Sequence, residues 1–428
     1  MQTQVPSGAS IAVKKFSVAA FGRIVEAPSF MKDNTGPAPT ISDASANLKG
    51  QTAPGMPIVR VTDLSKAAGE KVSVDAFDTL TGKPIMGDAN KEGKGVAISY
   101  SSMDISINKS SFVIDAGGEM AQQRTVHNLR SIGLAGMEGY FPRLHSQRAI
   151  VQMAGARGSQ VGNDWIVPLT TDSDYTSIMI NSVRAPTYNR HFVIDGSSPV
   201  QGGAQLASIN STDIWTLDII DSLSLLWDDL PIKMQSVRVD GDRQSMSNPI
   251  KGILYLTPRQ MFQLTTQNSG RNWSDMVKYA YARKSGMSTP HPLFDGDVGV
   301  WKGILVRQLP SFVVRFAKSE AVPHITSANR YTATETNVTV NSGLTTGYAV
   351  ERALFLGAQA LGYCFGRNQN SDYYFRWSER PYNHGDNLEI SGTCMDGASK
   401  LRFDLDNGTG TKEPTDLGIM VIDSAVKL

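Results

Sequence analysis

The residues with which this chain could do chemistry are few: six histidines, two cysteines and two short acidic turns. The histidines, His127, His145, His191, His291, His324 and His384, lie far apart, and no two stand at the close spacing that grips a metal from one helix or strand. Surface or capping duty is the expectation for each. Cys364 and Cys394 make neither a disulfide framework nor a paired zinc motif, so buried or idle thiols in a reducing compartment are expected. The turn Asp240-Gly241-Asp242 carries Gln244 where a calcium loop needs an acid. The run from Asp404 to Gly410 lacks the glutamate that closes such a loop and reads as a hairpin turn. No Gly-x-Ser-x-Gly elbow occurs. Gly155, Gly158 and Gly162 have no Gly-Lys-Ser/Thr after them, which excludes a phosphate loop. The aromatics from Tyr373 to Arg380 could stack on bases, yet their alternation fits a core or interface better. No catalytic residue, no metal and no cofactor is therefore expected.

Bulk properties point the same way. A chain of 428 residues is too long for one simple core and should divide into two or three lobes. Lys and Arg number 41 against 40 Asp and Glu, so no basic surplus marks a dedicated nucleic-acid binder. Near-neutrality is still compatible with a wall that tolerates packed DNA. The N-terminus lacks the apolar core of a signal peptide, and no apolar run reaches the ~20 residues of a membrane span. Synthesis in a cytoplasm, with no membrane partner, is the expectation.

The elements that would position these residues begin with an arm, residues 1–56, rich in Ser, Ala, Gly, Pro and Thr, with one possible short helix near Ile11–Met31. Residues 68–112 read as a long hairpin. Val72, Val74 and Ala76 alternate on one side, Val96, Ile98 and Tyr100 on the return. Met103, Ile105 and Ile107 continue the period after a slip at Ser101–Ser102 that suggests a bulge. The tip, Gly82 to Gly95, holds Lys83, Asp88, Lys91, Glu92 and Lys94, both signs of charge offered to a partner. An isolated ribbon is marginal in water, so this hairpin needs a neighbour to lie on.

The period then becomes helical, with Val126, Leu129, Gly133, Met137, Tyr140 and Leu144 on one face and Pro142 expected to kink or divide the helix. Further helices are expected at Asp213–Leu230 and Ser274–Arg283. In KGILYLTPRQ a buried strand Gly252–Leu256 meets Thr257 as N-cap, Pro258 at the first turn and Gln260 completing a capping box. Residues 293–310 read as turn, strand, turn, strand, and 318–347 as an exposed loop or edge. The segment from Arg352 to Gly366 reads as a strand leading into a helix, and the rest of the chain as strands. The fold class is α+β.

These residues also resemble a known family. Thr62–Lys66 (TDLSK), Gly69, Pro84, Gly87–Asp88, Glu92–Gly93, Gly117–Gly118, Met120 and Arg124–Thr125 stand as in the major capsid proteins of N4-like tailed phages. Leu293–Val306, Arg352–Gly366 and Leu417–Asp423 add to the likeness, which covers about half the chain in order. The resemblance implies the tailed-phage and herpesvirus major capsid protein fold, with N-terminal arm, extended loop (E-loop), spine helix, peripheral domain and axial domain. It places the arm at 1–60, the E-loop at 61–115 and the spine helix with the first part of the peripheral domain at 116–230. The axial domain then lies mainly at 231–370, and return strands of the peripheral domain at 371–428. It implies a subunit that self-assembles into hexamers and pentamers of an icosahedral head around double-stranded DNA. A scaffolding protein, a portal and decoration proteins are the implied partners, with assembly in the host bacterial cytoplasm. Contact with a neighbouring subunit falls on Lys83, Asp88, Lys91, Glu92 and Lys94. The alternative is a β-rich capsid decoration or adhesin-type binding module.

Overall fold

The computed structural model describes residues 30–37, 52, 54–61, 69–78, 83–118, 129–162, 164–242, 244, 247–266, 273–288, 291–296, 298–309, 312–366, 375–408 and 410–428. Most of the expected arm, the TDLSK run and residues 119–128 lie outside these, so the helix of Ile11–Met31 is not addressed. Within the arm range, Phe30–Asn34 is a short helix and Ile58–Val61 a strand.

Two mixed sheets meet around one long helix, Leu129–Ala154, of 26 residues. In the five-stranded sheet Ile58–Val61 runs parallel to Leu361–Phe365, which pairs antiparallel with the long strand Asn387–Lys400. Along its first part that strand is flanked by Phe375–Tyr382 and Asn108–Gly118. The helix lies on this sheet through Met137 and Phe141, against Phe375, Trp377, Ile390 and Cys394. Approach is close because Gly392 has no side chain: a Cβ there would stand 2.3 Å from Met137 Sδ. Pro142 does not divide the helix, since the turns on either side of it are held by the buried Phe141 and Leu144. From Leu144 to Ala154 every residue is buried.

The eight-stranded sheet has Ile419–Lys427 and Tyr348–Leu356 at its centre, joined antiparallel over nine residue pairs. His191–Asp195 lies parallel to the former, and Gly252–Leu256 antiparallel to the latter. Ile253 and Tyr255 face the end of the long helix, while Leu254 and Leu256 face the helices Leu217–Asp229, Pro258–Thr266 and Trp273–Ser285. Coverage of both faces explains why GILYL and IMVID are continuously apolar rather than alternating. The capping box forms as expected: Gln260 N donates to Thr257 Oγ1 (3.2 Å) and Thr257 N to Gln260 Oε1 (3.0 Å).

Several expectations need correction. The ladder between Lys71–Phe77 and Tyr100–Ser106 runs without a bulge through Ser101 and Ser102. Val96, Ile98 and Tyr100 are exposed, so their period belongs to the outer face and requires no slip. No helix follows Arg352–Leu356. Gln359 takes a positive φ of 57°, and the backbone donors of Gly357, Gln359 and Ala360 go to Gly418, Met56 and Pro57, which turns the chain into a strand of the other sheet. Residues 318–347 contain a hairpin, Ala321–Ile325 with Glu335–Thr339. A further strand, Lys412–Asp416, pairs with Arg402–Asp406 across the Asp404–Gly410 turn. The eight-stranded sheet draws His191–Gln201 and Ile419–Lys427 from distant parts of the chain. Among the described residues no helix is long and apolar enough to cross a membrane.

Candidate assembly surface

The hairpin of Lys71–Phe77 and Tyr100–Ser106 packs by one face on the body, most deeply at its base, and at its outer end Asp406 N donates to Asp78 Oδ1 (3.4 Å) and Lys412 Nζ to Tyr100 O (3.4 Å). Val72 and Ile105 are buried at the base with Leu401, Phe403 and Leu405, and Val74, Ala76 and Met103 pack against them. Asp404 N donates to Ser101 Oγ (3.1 Å) and Ile107 N to Glu70 O (2.9 Å). Beyond this base the ladder ends on the pair Phe77 and Tyr100, 70% and 65% exposed. Met86, Val96 and Ile98 are exposed further out. A monomer gains nothing from five large apolar side chains left in water, and such patches mark places where another molecule docks. The five charged residues singled out from the sequence, Lys83, Asp88, Lys91, Glu92 and Lys94, are all exposed on the same projection. None of the five side chains has an ion-pair partner among the described residues; the local order comes from backbone bonds, Glu92 N to Asn90 Oδ1 (3.0 Å) and Lys94 N to Lys91 O (3.3 Å).

Behind the projection, buried ions tie the body together. Asp423 receives Arg352 Nε at 2.7 Å and Nη2 at 2.8 Å, and His191 Nε2 at 2.8 Å. Arg352 Nη1 also donates to Ala154 O (2.8 Å), the last carbonyl of the long helix, where a cation complements the helix dipole. Burial pushes the Asp423 carboxyl up, but Arg352 and His191 together bring its pKa down to about 2. Asp416 is served by Arg402 Nε (2.7 Å) and Lys400 Nζ (3.1 Å) and likewise sits at about 2, burial opposed chiefly by Arg402. Burial drops Lys400 to about 7 despite Asp416. Asp396 takes Arg148 Nη1 at 3.0 and 3.1 Å and the Tyr363 hydroxyl.

The sequence left the histidines scattered, and the fold brings two of them to buried acids. Cys394 Sγ lies 3.6 Å from His145 Nε2, and Asp396 Oδ2 lies 3.5 Å from that same nitrogen. A nucleophilic triad needs thiol and acid on opposite ring nitrogens and an open path for substrate. Here both address one nitrogen in a closed interior, so the arrangement does no acyl chemistry. Cys364 is buried. Asp242 is consumed by Arg283 (2.7 Å).

No curated protein sequence matches the chain. Among solved structures, the capsid of Ralstonia phage GP4 superposes with a TM-score of 0.69 at 20% identity, covering 100% of this chain and 96% of that one. The cyanophage Pam1 capsid asymmetric unit gives 0.58 at 14% identity, covering 87% and 89%. The acid-stable capsid of Helicobacter pylori bacteriophage KHP30 gives 0.57 at 11%, covering 95% and 94%. These likenesses show the phage capsid fold, and a family model described as phage capsid protein matches residues 4–428. The chain therefore belongs to the phage capsid protein family, as a structural subunit of the phage head and not an enzyme.

Proposed function

We propose that this subunit closes into hexamers and pentamers of an icosahedral shell, with its hairpin acting as an E-loop laid across an adjacent copy. The observation that carries this reading is the exposed row of Phe77, Met86, Val96, Ile98 and Tyr100, beside charges with no partner among the described residues. Repeated heterologous contacts close into rings when the rotation allows, and many modest interfaces then act together. In this reading the helix Leu129–Ala154 is the spine, the five-stranded sheet the peripheral domain and the eight-stranded sheet the core of the axial domain. Arm 1–60 adds a second clasp. The N4-like branch is the subfamily proposed, on the sequence runs quoted above. A separate scaffolding protein, a portal and decoration proteins complete the head in the host bacterial cytoplasm, and double-stranded DNA lies against the inner face without sequence preference.

Expression with a scaffolding protein, followed by negative-stain microscopy, tests the reading. Shells or capsomer rings of five or six are expected, whereas a persistent monomer or trimer would overturn it. Reversal of tip charges, Asp88→Lys with Glu92→Lys, should cut shell yield while the thermal midpoint of the isolated subunit stays put. Normal shell yield from that variant would remove the charged tip from the contact.

A further inference from the structure

One cluster in the interior is unused by assembly: His145 on the spine helix, with Cys394 and Asp396 on the long strand. All three are buried, and their ligand-type atoms lie within 4.8 Å of one another. Cys394 and Asp396 stand two residues apart, so they leave the same face of the strand, the face toward the helix. We propose that these three side chains form a structural site for a borderline-soft divalent cation, zinc by preference, that staples the spine helix to the five-stranded sheet.

Geometry is the first support. With Zn–S of about 2.3 Å and Zn–N or Zn–O of about 2.0–2.1 Å, two ligands of a tetrahedral ion stand roughly 3.3–3.6 Å apart. The observed separations are 3.6 Å from Cys394 Sγ to His145 Nε2 and 3.5 Å from that nitrogen to Asp396 Oδ2. The second is too long for a good hydrogen bond. Donor chemistry is the second support, because one sulfur, one imidazole and one carboxylate suit zinc and not magnesium or calcium. Outer partners are the third. Arg148 Nη1 and the Tyr363 hydroxyl hold the Asp396 carboxylate, and Ser110 Oγ takes Arg148 Nη2 at 2.7 Å. Metal-bound carboxylates are commonly braced in this way. On binding, the Cys394 proton leaves to solvent, and thiolate and carboxylate face the ion; with Arg148 still paired to Asp396, the cluster gains one net positive charge.

The test uses the full chain purified from zinc-supplemented cells. Elemental analysis should find close to one zinc per chain, and a strong chelator should remove it and lower the thermal midpoint. Cobalt(II) added to the stripped protein should give the thiolate-to-metal absorption band of tetrahedral coordination. The Cys394→Ser variant should lose zinc and band together, and Cys364→Ala should keep both. The cobalt spectrum of the wild-type protein decides the matter should Cys394→Ser fold poorly. Metal content at background after dialysis against zinc, a midpoint indifferent to zinc and chelator, or a cobalt spectrum without a thiolate band would each overturn the proposal.

Discussion

The carboxylate of Asp423 holds Arg352 Nε and Nη2 and His191 in a setting closed to water. Removing one partner of such a group leaves the rest charged and unpaired, so Asp423→Asn should cost about 3–5 kcal/mol, read as a lower denaturant midpoint of the isolated subunit. The pH dependence follows from the same groups. Asp416 and Asp423, at about 2, lie below the ordinary carboxylate near 3.9, so their stabilisation is present above about pH 4 and lost as pH falls toward 2. Burial lowers His191, so below about 6.5 the unfolded chain binds more protons and stability falls further. Lys400, pushed to about 7, leaves the unfolded chain with more protons up to about 10.4, and stability rises with pH across that window. For these groups the signs agree: the thermal midpoint should climb from about pH 4 to about pH 8, and a flat profile would contradict these assignments. Lys400→Met should flatten the rise above about pH 7, because Arg402 still pairs with Asp416 and donates to Ala185 O.

Among elements, the helix Leu129–Ala154 shows how little of its stability comes from local preference. It carries Gly133, Gly136 and Gly139 and passes through Pro142, all poor helix residues, and is held by the burial of Met137, Phe141 and the whole run from Leu144 onward. A Cβ at Gly136 or Gly139 would meet nothing within 4 Å. Each Gly→Ala change should therefore stabilise the isolated subunit by roughly 0.5–1 kcal/mol, measured by denaturant titration. Loss of stability would mean that the helix needs the freedom of glycine there. The hairpin is the opposite case. Its alternation was legible at Val72, Val74 and Ala76, yet the phase of Val96, Ile98 and Tyr100 suggested a bulge, because sequence alone does not separate a core-facing apolar row from an exposed one.

For the whole molecule, the exposed row makes a prediction distinct from that of the tip charges. Phe77→Ser with Ile98→Ser removes apolar area that is solvated in the monomer, so the midpoint of the isolated subunit should move by less than about 0.5 kcal/mol. Shell yield by sedimentation should collapse; unchanged yield would take this row out of the interface. The strand Gly252–Leu256 with its capping box, the helix face of Met137 and the buried final strand were readable beforehand, because periods of two and 3.6 residues and cap chemistry are local properties. Absence of a nucleophile elbow or a phosphate loop is likewise a matter of spacing along the chain. The turn at Gln359, the return of Ile419–Lys427 to the larger sheet and the meeting of His145 with Cys394 and Asp396 were not readable. Those depend on which distant backbone donor or buried charge a segment finds, and partners some 250 residues apart are chosen by packing alone, not by any pattern in the neighbouring residues.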